Sequence, residues 1–263
     1  MAMMSGSGLE GDEGFMGLSM RFSYGGRRAL IEGLKFAPMA APLLGALIGI
    51  TVAMNDPAAA QTSGAARSAP IRLAVLGDSL TAGYGLPSGA AFPARLQLAL
   101  KEKGIETDMV NAGVSGDTTS GGRDRLDWSI PEGTEAVIVE LGANDALRGI
   151  DPKVSRAALD DILRKLKARN IAVLLCGMYA PPNFGSDYAK AFNAIYPDLA
   201  KAHDVPLYPF FLNGVVGVTD LNQHDGLHPT AAGVDVIVKQ ILPTVEAFLK
   251  PLDRVARTST KTF

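Results

Sequence analysis

From Ile71 onward, apolar runs of strand length alternate with amphipathic stretches of helix length, and this alternation constrains the fold more than any other feature. Ile71–Leu76, Thr107–Asn111, Ala136–Leu141, Ile171–Cys176 and Pro206–Tyr208 read as strands. Ala91–Lys103, Pro152–Arg169, Ser186–His203 and Thr230–Leu249 space their apolar residues three and four apart and read as helices. Strands that alternate with helices build parallel β-α-β units, because a parallel neighbour is reached only through a crossover. Right-handed crossovers put helices on both faces of the sheet, and ligands then bind at the carboxyl ends of the strands. The expectation is an α/β fold, a three-layer α/β/α sandwich on a five-stranded parallel sheet, with its chemistry along one edge.

The N-terminal part of the 263-residue chain stands outside this alternation. Arg27, Arg28 and Lys35 precede an apolar stretch from Phe36 to about Met54, and Asn55-Asp56-Pro57-Ala58-Ala59-Ala60-Gln61 follows. Basic, apolar and small-residue regions in that order mark an export signal, with cleavage expected after Ala60. The other reading is a retained anchor, weakened as a helix by Pro38, Pro42, Gly45 and Gly49. The expected organisation is a leader over 1–60, a linker over 61–70, a folded domain over 71–250 and a solvated tail over 251–263 carrying Arg254, Arg257 and Lys261. An exported protein would be periplasmic or secreted. The net charge of -2 gives no footprint for nucleic acid, and membrane contact is expected only through an uncleaved N-terminus. The single cysteine, Cys176, excludes an internal disulfide and reads as a core residue.

After the first strand comes Gly77-Asp78-Ser79-Leu80-Thr81-Ala82-Gly83-Tyr84-Gly85, a serine at a strand's carboxyl end among small residues. Its hydroxyl is a weak nucleophile and needs a base held by a third group. Of three histidines, His203 ends a helix and reads as structural, whereas His224 and His228 lie in Gln223-His224-Asp225-Gly226-Leu227-His228-Pro229 before the last helix. Asp225 and His228 stand three apart across a glycine, so one turn brings carboxylate to imidazole. His224, Asp225 and His228 also offer nitrogen and oxygen ligands, but no further histidine or cysteine completes a zinc set. Asn111-Ala112-Gly113-Val114-Ser115-Gly116-Asp117 and Gly142-Ala143-Asn144-Asp145 follow the second and third strands. The Gly113 N–H and the Asn144 amide are therefore candidates to join the Ser79 N–H on a developing oxyanion.

These four segments resemble the four sequence blocks of the SGNH/GDSL hydrolases, and the resemblance runs from Ile71 to about Leu249. The branch of bacterial thioesterases, arylesterases and lysophospholipases is the one most similar, through Asn144-Asp145-Ala146-Leu147-Arg148-Gly149 and Pro182-Asn183-Phe184-Gly185. The resemblance implies Ser79 as nucleophile, His228 as base and then acid, Asp225 as its orienting carboxylate, and Gly113 and Asn144 as oxyanion donors. It also implies a flavodoxin-like sheet of order 2-1-3-4-5, a periplasmic location and no cofactor.

A small ester or thioester is the expected substrate, with Tyr179, Asn183 and Phe184 as candidate pocket walls. A carbohydrate O-acetylesterase or acyltransferase would use the same triad, but Trp128 is the only tryptophan to stack on a sugar. A non-catalytic lipid- or ligand-binding protein would have no need of Ser79, Gly113, Asn144, Asp225 and His228 together.

Overall fold

The computed structural model describes residues 69–259, with side chains through Leu252. The leader, the linker up to 68 and the tail residues Arg254, Arg257 and Lys261 lie outside the described residues or side chains. Five strands, β1 Ile71–Gly77, β2 Thr107–Gly113, β3 Ala136–Glu140, β4 Ala172–Cys176 and β5 Leu207–Tyr208, form one parallel sheet in the order β2-β1-β3-β4-β5. The last pairs in register, Gly77 with Gly113 and Gly77 with Glu140, align the carboxyl ends of β2, β1 and β3.

The helices are α1 Ser79–Ala82, α2 Phe92–Glu102, α3 Thr119–Asp124, α4 Leu126–Ser129, α5 Ala143–Leu147, α6 Pro152–Ala168, α7 Ser186–Asn193, α8 Ile195–His203 and α9 Ala231–Ser259. α2 packs with α9, while α3, α7 and α8 pack with α6. Every residue of β3 is buried, so both faces of the sheet are covered by these two groups. A strand enclosed on both sides is free to be apolar throughout, which is why β1 and β3 read as continuous runs rather than alternating ones.

Two helical expectations are corrected. Ser186–His203 is two helices, because Pro197 has no N–H to give the Asn193 carbonyl and its ring crowds that oxygen. The Asn193 side chain accepts the Ala180 N–H at 2.9 Å. The last helix does not stop at Leu249 but continues to Ser259, carrying Pro243 and Pro251 inside it, so the segment from 251 begins as helix rather than as a loose tail. The short helices α1, α3, α4 and α5 span too few turns to show an apolar period. Among the described residues, no helix is long and apolar enough to cross a membrane.

Candidate active site

β1 ends at Gly77 and α1 begins at Ser79, with Asp78 as the residue between. Asp78 Oδ1 accepts the Leu80 N–H at 3.0 Å, which caps α1 and fixes the serine at the strand's carboxyl end. His228 arrives from the other end of the domain, on a loop closed by the Gln223 N–H to the His228 carbonyl at 2.7 Å. Gln223 Nε2 also donates to the carbonyls of Tyr84 at 2.7 Å and Pro229 at 3.0 Å, tying the histidine loop to the serine loop. The Tyr84 ring lies over the imidazole with centroids 4.5 Å apart.

His228 Nε2 is 2.9 Å from Ser79 Oγ, and its Nδ1 is 2.6 Å from Asp225 Oδ2. Asp225 Oδ1 accepts the backbone N–H groups of His228 at 3.0 Å and Leu227 at 2.9 Å. Those two N–H groups and the ring hold the Asp225 carboxyl down at about 2. An ionised carboxylate only accepts, so Nδ1 carries the ring proton and Nε2 presents its lone pair to the serine hydroxyl. This is the arrangement in which a serine is deprotonated as it attacks.

The expected oxyanion donors are placed differently. Asn144 Nδ2, on α5, donates to the Asp117 carbonyl at 2.8 Å and to Asp78 Oδ2 at 3.2 Å, which brings it against the serine loop. The Gly113 N–H is committed to Asn111 Oδ1 at 3.0 Å. A Cβ at Gly113 would lie 2.5 Å from the Ala82 nitrogen, so glycine is required there for the packing of α1 on β2. Three residues on, Gly116 adopts φ 83°, a left-handed conformation that suits glycine, and no partner is described for its N–H. The Ser79 N–H is likewise unpartnered among the described residues. Gly116 is thus the candidate donor in this loop that the sequence reading leaves out; its signal is a glycine before an aspartate in a strand-end turn.

Beneath the loop sit two carboxyls, Asp78 and Glu140, both fully buried. Burial raises Asp78 to about 6 against the pull of its Leu80 and Asn144 hydrogen bonds. Burial, then the neighbouring Asp78, pushes Glu140 well above the usual carboxylate range, and neither Glu140 oxygen has a hydrogen-bond partner. The Asp78 N–H faces that carboxyl without reaching hydrogen-bond geometry. Asp145, also buried, is satisfied: it accepts from the Thr119 N–H at 2.8 Å, Thr119 Oγ1 at 2.6 Å and Ser155 Oγ at 2.8 Å, pinning α3 and α6 to α5.

The candidate pocket walls are not brought onto the triad by any described contact. Tyr179 stacks on Phe210 at 4.6 Å, Phe184 leans on Tyr188 at 5.3 Å beside Gly149, and Asn183 is exposed. Exposed apolar side chains instead follow each site residue closely: Tyr84 after Ser79, Val114 after Gly113, Leu147 after Asn144 and Leu227 before His228. Cys176 is buried, as read from the sequence, whereas His203, expected as a solvated imidazole at a helix end, is largely covered and bonds Asp160 at 2.7 Å.

The sequence pattern of the GDSL-like lipase/acylhydrolase family matches residues 75–236. The chain is 39% identical over 202 residues to the esterase TesA of Pseudomonas aeruginosa, covering 76% of this chain and 94% of that protein. It is 43% identical over 178 residues to thioesterase 1/protease 1/lysophospholipase L1 of Escherichia coli, covering 66% of this chain and 84% of that one. The crystal structure of AlinE4, an SGNH-hydrolase family esterase, superposes with a TM-score of 0.58 at 46% identity, covering 69% of this chain and 97% of that one.

Proposed function

Since the chain belongs to the GDSL-like lipase/acylhydrolase family, we propose that it hydrolyses carboxylic esters and thioesters through an acyl-serine intermediate on Ser79. The observation that carries this is the continuous hydrogen-bonded line from Ser79 Oγ through the His228 ring to Asp225. Ser79 Oγ attacks the carbonyl carbon as its proton passes to His228 Nε2. The tetrahedral oxyanion is held by the free N–H groups of Ser79 and Gly116 and by the Asn144 amide, whose 3.2 Å bond to Asp78 is the weaker of its two and the one that yields. Collapse breaks the bond to the alcohol or thiol, which leaves with the proton from His228, and a water molecule repeats the sequence to release the acid. Gly113 keeps a packing role.

The Tyr84 ring against His228, with exposed apolar side chains at Val114, Leu147 and Leu227 in the loops that carry the site, favours an apolar acyl or aryl group, and the names of the relatives favour aryl esters, acyl thioesters and lysophospholipids. Tyr179, Asn183 and Phe184 are assigned to the outer wall of the substrate cleft, away from the reacting atoms. The basic, apolar and small-residue order of the N-terminus supports export to the periplasm or beyond. The test is hydrolysis of p-nitrophenyl esters from acetate to palmitate by the full chain and by Ser79→Ala, with a chelator present. Activity lost in the variant and indifferent to the chelator supports the reading. A folded wild-type chain inactive on esters and thioesters alike contradicts it.

A further inference from the structure

Arg125, between α3 and α4, is a buried cation whose fork is almost fully used. Nε donates to Asp117 Oδ2 at 2.5 Å, Nη1 to the Ala112 carbonyl at 2.7 Å and Ser129 Oγ at 3.1 Å, and Nη2 to the Gly77 carbonyl at 2.9 Å. Gly77 lies two residues before Ser79. Ala112 is the last residue but one of β2, just before the loop that carries Gly116, and Asp117 follows Gly116 directly. The Asp117 carbonyl is in turn the acceptor that holds Asn144 Nδ2. One guanidinium therefore reaches, through a single bond in each case, the backbone leading to the Ser79 N–H, the loop of the Gly116 N–H and the residue that orients the Asn144 amide.

The position matters because Gly77 and Gly113 form the last pair of the β1–β2 ladder. Beyond it one backbone bond links the two strands, from the Val114 N–H to the Gly77 carbonyl at 3.1 Å, and past that no backbone bond between the two loops is described. A planar guanidinium with donors in fixed directions adds a second link at the Gly77 carbonyl and extends it to Asp117 in the next loop, while Asp117 neutralises the charge that burial would otherwise penalise. A lysine offers a point charge on a flexible stem and cannot meet these acceptors together.

Resting on the hydrolase reading above, we propose that Arg125 is a positioning residue for the reaction, setting the spacing of the Ser79, Gly116 and Asn144 donors around the oxyanion. Oxyanion donors act in the transition state, and a misplacement of about 1 Å costs about 10²-fold in rate.

The experiment uses the full chain with p-nitrophenyl butyrate, counting active sites by the endpoint of fluorophosphonate labelling. Arg125→Lys is expected to lower kcat per labelled site by about 10²-fold with KM changed less than about threefold. Asp117→Asn, which keeps the carbonyl for Asn144 but removes the guanidinium's carboxylate, should show the same split at about tenfold. Added guanidinium at millimolar concentration should recover part of the kcat lost in Arg125→Ala and none of that lost in Ser79→Ala. Fewer labelled sites with wild-type kcat at each, or a loss confined to KM, would overturn the proposal while leaving the hydrolase reading intact. Wild-type protein without Ser79-dependent turnover would overturn both.

Discussion

Ser79 Oγ and His228 Nε2 lie 2.9 Å apart although 149 residues separate them in the chain. The parallel sheet makes this meeting: β1 delivers the serine at its carboxyl end, and the loop before α9 returns over the same edge. The 2.6 Å bond from Nδ1 to Asp225 then selects the tautomer that leaves Nε2 free to accept.

Asp225→Asn should therefore keep the fold and lose the chemistry. An amide no longer fixes the ring proton on Nδ1, and kcat should fall by about 10²–10⁴-fold. Because Asp225 sits at about 2, below its ordinary 3.8, its contribution to stability is present above the ordinary value and lost as pH falls toward 2. Asp225 therefore stays ionised at every pH well above its ordinary value, and an acid limb of the wild-type rate profile in that range is not its titration. Steady-state kinetics of both proteins across pH check this.

Asn144→Ala removes one oxyanion donor. The expected result is a drop in kcat of about 10²–10³-fold with KM little changed. A rise in KM at constant kcat would make Asn144 a ground-state binding residue.

Gly113→Ala separates packing from catalysis. The added methyl would collide with the Ala82 backbone, so the variant should lose about 1–3 kcal/mol of stability in urea unfolding. Turnover per active site in the folded fraction should fall by less than it does in Asn144→Ala.

Glu140→Gln tests the buried carboxyl. Burial raises its pKa, so the folded chain holds a proton that the unfolded chain has released above the ordinary value of 4.5. Stability from this group is full below that value and declines as pH rises toward the folded pKa, by at most about 1.4 kcal/mol per pH unit. Asp78 adds a similar decline between its ordinary 3.8 and about 6. Urea unfolding from pH 5 to 8 should show a shallower decline for Glu140→Gln than for wild type; equal slopes would contradict the assignment.

The sheet and the triad were legible in the sequence because their signals are local. Fully buried parallel strands read as apolar runs, and Asp225 and His228 lie one turn apart. The oxyanion loop was not legible in the same way: choosing between Gly113 and Gly116 depends on which N–H is free, and that is decided by the Asn111 side chain and the approach of Ala82, both tertiary. Glu140 and Arg125 escaped notice for a related reason. A lone glutamate ending an apolar strand and an arginine in a polar stretch carry no periodic signal, and only the fold shows that both are buried beneath the serine. The break at Ala194 was written in Pro197, but the surrounding apolar spacing outweighed it.

The whole mechanism turns on acylation of Ser79 with His228 as its base. Its most direct test is rapid-quench mass spectrometry of the full chain mixed with a p-nitrophenyl ester, followed by peptide mapping. An acyl mass increment is expected on the peptide containing Ser79, formed in a burst, absent in Ser79→Ala and formed far more slowly in His228→Ala. Turnover that persists in Ser79→Ala, or an acyl group that maps to another residue, would contradict it.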